Sequence, residues 1–91
     1  MMNKDFYRFI KSHNLPNRIY DMLLYFGTIK NEKNENNIKK FFFQRLQDVE
    51  YVESLAKYFE EKLRKYKKIP DIRCNLLDLI NDLNYLKQYL I

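Results

Sequence analysis

Apolar residues recur along most of this chain three or four positions apart, which is the spacing of an amphipathic α-helix. The pattern is clearest after residue 51, where two long apolar stripes flank Pro70. The stripe before the proline contains Val52, Leu55, Ala56, Phe59, Leu63 and Tyr66. The stripe after it contains Ile72, Leu76, Leu79, Leu83, Leu86 and Leu90, with Leu77 and Ile80 expected to widen it. Two such helices joined by a short proline turn are predicted to form an antiparallel hairpin.

The N-terminal half carries the same periodicity in shorter segments. A first helix, capped by Asn3, is predicted to place Phe6, Phe9, Ile10 and His13 on one face. It should end near Asn14, because Pro16 disfavours helical backbone at the residue before it. A second helix then buries Ile19, Met22, Leu23 and Phe26, and Gly27 marks either its end or a weak point in it.

A third helix is predicted after the polar segment 30–37, which contains no apolar side chain. Asn36 or Asn37 is expected to cap its N-terminus. This helix is expected either to end around Gln47, where Asp48 can cap the next helix, or to continue into the next helix with a kink. The three phenylalanines at 41–43 span about 200° of the helix circumference, so they cannot all face one narrow core stripe. Phe42 shares a face with Leu46, Phe41 is expected to join its edge, and Phe43 is left over.

One glycine and two prolines are too few for the many tight turns of a β-sandwich or barrel. The predicted fold class is therefore all-α: a small bundle of four to five helices with a long C-terminal antiparallel helical hairpin. Because 91 residues is close to the size of a typical single domain, residues 1–91 are predicted to form one helical domain.

Cysteine and histidine content limits the chemistry that this chain can perform. Cys74 is the only cysteine and is expected to be partly buried, and with one histidine no structural zinc set is available. The first residues hold no apolar signal stretch, and the longest apolar run is too short to span a bilayer. We therefore expect a cytoplasmic protein without a transmembrane segment.

No arrangement of residues in the sequence indicates catalysis. His13 follows Ser12 directly and falls on an apolar face, so a core or half-buried histidine is expected. Asp78 and Asp82 lie one helical turn apart, on the expected solvent side of the last helix. With a single glycine there is no phosphate-binding loop. The sequence predicts a non-enzyme with no cofactor, no metal and no small-molecule substrate.

The net charge of +5 is confined to the first half of the chain. Residues 1–47 hold nine basic and four acidic side chains, whereas residues 48–91 hold eight of each. A basic excess indicates an acidic partner such as nucleic acid. Drift toward AT-rich codons also produces Lys- and Asn-rich sequences, so the charge alone does not decide the function.

The basic residues fall into two groups with different explanations. Those between 62 and 68 end a helix, where cations complement the helix dipole. Lys4, Lys39 and Lys40 are expected in the first turns of their helices, where cations are disfavoured, and such a departure from a local rule often marks a functional site. The alternative interpretation is a solvated face that binds nothing.

These observations favour a non-catalytic nucleic-acid or ribonucleoprotein-associated subunit that grips the phosphate backbone through its N-terminal half. The candidate binding residues are Lys4, Arg8, Lys11, Arg18, Lys39, Lys40 and Phe43, with Tyr7 as a second stacking ring. The alternative is a protein–protein interaction module, such as an immunity protein, a phage or viral inhibitor, or an assembly subunit. A homodimer through the helices is a further option, and peripheral membrane attachment is the weakest of the hypotheses.

Overall fold

The structure is a computed structural model that describes residues 4–31 and 34–90. Within these ranges the backbone forms five α-helices, one short 3-10 helix and no β-strand. The α-helices are α1 (Lys4–Ser12), α2 (Leu15–Tyr25), α3 (Glu35–Arg45), α4 (Val49–Tyr66) and α5 (Pro70–Leu86), and the 3-10 helix is Lys87–Tyr89. The predicted all-α class with a C-terminal helical hairpin is confirmed.

The chain divides into two compact units. The N-terminal unit, Met1–Leu46, contains α1, α2 and α3, and α2 packs against both of its neighbours. The C-terminal unit, Gln47–Ile91, contains α4 and α5 packed along each other, with the 3-10 helix against both. That the whole chain forms one domain stays a prediction.

The core of the C-terminal unit follows the two predicted stripes. Val52, Leu55, Ala56 and Phe59 of α4 are buried, as are Leu76, Leu79, Leu83 and Leu86 of α5. Ile80 is also buried, but Leu77 is 41% exposed, so the expectation that both residues widen the stripe holds for Ile80 alone. The reason is helical geometry, because Leu77 lies about 60° further round the helix from the stripe than Ile80 does.

The end of α2 and the start of α4 confirm two sequence predictions. Gly27, at φ 73°, ends α2: its N–H donates to Leu24 O, and the Thr28 N–H donates to Leu23 O, as in a Schellman motif. Asp48 caps α4 by accepting from the Glu50 N–H at 3.0 Å.

The cap of α3 is Asn34 rather than Asn36 or Asn37. Its side-chain oxygen accepts from the backbone N–H groups of both those residues, at 3.0 and 3.4 Å. The prediction was wrong because α3 begins at Glu35, earlier than expected. Asn3, the predicted cap of α1, lies outside the described residues.

Two residues that were expected in or near the core are exposed. His13 lies just beyond the last residue of α1, where its ring stacks on Phe9 at a centroid distance of 4.2 Å. The next apolar residue, Leu15, is fully buried instead. Cys74 is exposed because it lies about 200° round α5 from the buried Leu76. On the same helix, Asp78 is exposed as expected and Asp82 is half-buried.

We predict that Leu79→Ala destabilises the protein by about 2–5 kcal/mol, because it opens a cavity at a position that is 1% exposed. Leu77→Ala is the matched control on the same helix, and its cost should stay within about 0.5 kcal/mol. Chemical denaturation followed by far-UV circular dichroism measures both values. Equal costs for the two variants would contradict the assignment of the buried face of α5.

Candidate functional site

The buried face of α3 is a stripe of Ile38, Phe42 and Leu46. Phe41 and Phe43 lie about 100° to either side of this stripe, on opposite flanks of the helix. Phe43 is half-buried, whereas Phe41 is 48% exposed. The expectation that Phe41 joins the buried edge and Phe43 is left over is therefore wrong, and the two roles are exchanged.

Phe43 is covered by α1. Its ring stacks on the ring of Tyr7 with centroids 5.0 Å apart and planes 20° from parallel. On the other flank of α3, the Arg45 guanidinium lies 5.1 Å from the centre of the Phe41 ring. Contact with Tyr7 rather than helix periodicity thus decides which phenylalanine is half-buried.

A pocket of about 280 Å³ lies beside this aromatic pair, within the N-terminal unit. It is lined by Ile10, Lys11, Asn14, Pro16, Lys39 and Phe43. The lining combines apolar residues with two lysines from different helices, and the described residues that form it include no carboxylate. Such a lining suits an anion that also carries an apolar surface.

The two pocket lysines are placed by the same helical spacing as the rings. Lys11 is one turn after Tyr7 on α1, and Lys39 is one turn before Phe43 on α3. Each stacked ring therefore has a lysine on its own face of its own helix. Stacking the rings brings the two lysines to one pocket, although they are far apart in the sequence.

Asn14 contributes a polar side chain from the connection between α1 and α2. Its backbone is in the left-handed region, at φ 51°, which asparagine tolerates better than most residues. The Asn17 side chain donates to the Asn14 side-chain oxygen at 3.1 Å. This bond engages the oxygen, so the NH₂ group of Asn14 is the part that can donate to a ligand.

Three of the seven predicted site residues, Lys11, Lys39 and Phe43, line the pocket. Lys4, Arg8 and Lys40 are exposed on α1 and α3 but do not line it. Arg8 lies 3.7 Å from Asp5 in an ion pair that is largely solvated and contributes little to stability. Arg18 donates to the carbonyl oxygen of His13 at 2.8 Å, so it satisfies an acceptor at the end of α1.

Lys4, Lys39 and Lys40 were singled out as cations expected in the first turn of a helix, and only Lys4 lies in one. Because α3 begins at Glu35, Lys39 and Lys40 are its fifth and sixth residues, beyond the first turn. Ile10, Asn14 and Pro16 also line the pocket, although the sequence did not predict this. From the sequence, Ile10 was expected in the core, and Asn14 and Pro16 were expected at the turn between the first two helices. That turn was the signal that could have identified them.

Charge and pocket occur in the same unit. The N-terminal unit holds nine basic and four acidic side chains, and the C-terminal unit holds eight of each.

Across residues 4–31 and 34–90 there is no group of three or more His, Cys, Asp or Glu residues that could hold a metal ion. No helix in those ranges has the length and apolar character needed to cross a membrane.

We predict that Tyr7 and Phe43 are energetically coupled. In a double-mutant cycle with Tyr7→Leu and Phe43→Leu, the coupling free energy should be about 0.5–1.5 kcal/mol, because each leucine removes one face of the stack. The control cycle pairs Tyr7→Leu with Phe41→Leu, and its coupling should be close to zero. Denaturant titrations measure the free energy of unfolding of each variant. Coupling of Tyr7 to Phe41 and not to Phe43 would refute this placement of α1.

Comparison with known proteins adds no relative that carries this pocket. No protein-family model matches the chain, and no curated protein or solved structure is significantly similar to it.

Proposed function

We propose that this protein is a non-catalytic nucleic-acid or ribonucleoprotein-associated subunit that contacts the phosphate backbone through its N-terminal unit. The observation that carries the proposal is the convergence of Lys11 and Lys39 on one pocket beside the Tyr7–Phe43 stack. Lysine ammonium groups bind phosphate as point charges, and contacts to phosphate carry no information about base sequence. Binding is therefore expected to depend little on base sequence and strongly on salt.

The neighbouring charges support the same interpretation. Lys4 and Arg8 on α1 and Lys40 on α3 are exposed and add positive charge to the unit that contains the pocket. Such a field raises the rate at which a polyanion meets the surface. Arg18 contributes charge to this field, while its guanidinium is engaged with the carbonyl oxygen of His13.

A protein–protein interaction module is the second candidate, and large exposed apolar side chains favour it. Tyr25 is 58% and Phe41 48% exposed in the N-terminal unit, and Leu77 is exposed on α5, where a homodimer could cover it. Single exposed apolar residues are normal on protein surfaces, so this candidate ranks second. Phe41, rather than Phe43, is its first residue to test.

We predict that Lys11→Glu with Lys39→Glu weakens binding to generic DNA at least about ten-fold near physiological salt. The variant should also reduce the magnitude of the log–log salt slope by roughly 0.9 for each duplex phosphate that the protein no longer neutralises. Fluorescence anisotropy titrations at two salt concentrations measure both effects. Lys67→Glu with Lys68→Glu is the charge-matched control, because both residues are exposed and lie in the neutral C-terminal unit.

The control separates the position of the charge from its amount. Both double variants lower the net charge equally, so a weakening confined to the first pair supports binding at the pocket. Equal weakening by both pairs would mean that the net charge of the whole chain, and not the pocket, attracts the nucleic acid. Absence of binding by the unaltered protein near physiological salt would refute the proposal and favour the protein-interaction module.

A further inference from the structure

The pocket has an apolar part that phosphate binding does not use. Ile10 and Pro16 are buried, and Phe43 is half-buried, in the same lining that carries the two lysines. The phosphates of a duplex could contact the lysines from outside, but its bases are stacked within the helix and could not reach this apolar part. An unpaired nucleotide presents both a phosphate and an exposed flat base.

We propose that the pocket receives one unpaired nucleotide of a single-stranded nucleic acid, with its base against Phe43 and its phosphate between Lys11 and Lys39. This inference rests on the proposed function and narrows it from any polyanionic backbone to a single strand. It adds base stacking to charge attraction, and the stacking is tolerant of sequence because every base has a π-face.

The size of the pocket fits this occupant. A volume of about 280 Å³ is just below the roughly 300–1,000 Å³ of pockets that enclose drug-sized ligands. A pocket of this size suits one small group, such as a single base, and not several stacked nucleotides. The remainder of the strand would pass over the exposed lysines outside the pocket, such as Lys4 and Lys40.

Phe43 is held in place before any ligand arrives. Its stacking on Tyr7 restricts the ring. The entropy cost of ordering the Phe43 side chain when a base binds would therefore be smaller. The Asn14 amide is restricted in the same way by its hydrogen bond from Asn17, and its NH₂ group can donate to a base edge or a phosphate oxygen.

An abasic strand tests the inference, because it keeps the phosphates and lacks the bases. Anisotropy titrations compare an oligothymidylate, an abasic oligomer of the same length and a duplex. The oligothymidylate should bind roughly ten-fold more tightly than the abasic strand. Phe43→Leu should reduce its affinity to that of the abasic strand and leave the affinity of the abasic strand unchanged. Phe41→Leu, which alters a ring outside the pocket, should change neither affinity.

A second measurement uses the unaltered protein, in case Phe43→Leu does not fold. A strand with 5-iodouracil at one position is irradiated in the complex, and the cross-linked peptide is identified by mass spectrometry. The inference predicts a cross-link in the peptide that carries Phe43. Cross-links confined to the α4–α5 hairpin would overturn it.

The titrations also separate this inference from the proposed function. Equal, salt-dependent binding of the oligothymidylate and the abasic strand would overturn the nucleotide pocket and leave backbone binding intact. Failure of all three oligomers to bind would overturn both.

Discussion

Burial of Ile38, Phe42 and Leu46 fixes the rotation of α3, and the rest of the candidate site depends on that rotation. These residues follow one another at intervals of four, so they form a single stripe along the helix. Once the stripe is buried, Phe43 must point to one flank and Phe41 to the other. Tyr7 of α1 meets the flank of Phe43, and Lys39, one turn earlier on the same face, reaches the pocket.

The Tyr7–Phe43 contact contributes to stability, and under the proposed function it also contributes to binding. Tyr7 and Phe43 join two helices of a small unit, and under the proposed function the same contact would hold Phe43 in place as a stacking surface. Lys11 and Lys39 bring like charges from α1 and α3 to the lining of one pocket, and under the proposed function a phosphate there would be attracted by both.

Much of the fold could be predicted because its determinants are local. The stripes of α4 and α5, the end of α2 at Gly27 and the cap at Asp48 each follow from residues within a few positions of one another. The start of α3 was harder to locate, because the preceding segment offers several asparagines that are equally able to cap.

The candidate site could be predicted only in part, because its determinants are not local. Phe41 and Phe43 are equivalent with respect to the buried stripe of α3, so no periodicity could choose between them. The convergence of Lys11 with Lys39 depends on how α1 and α3 are placed on α2. Their charge could be identified from the sequence, but their common pocket could not.

The most direct measurement is a nuclear magnetic resonance titration of the labelled protein with a single-stranded oligonucleotide. Chemical-shift changes should concentrate on Lys11, Asn14, Lys39 and Phe43, and the unliganded protein should show cross-relaxation between the ring protons of Tyr7 and Phe43. Shift changes clustered at the end of α4, or the absence of cross-relaxation between the two rings, would contradict the account.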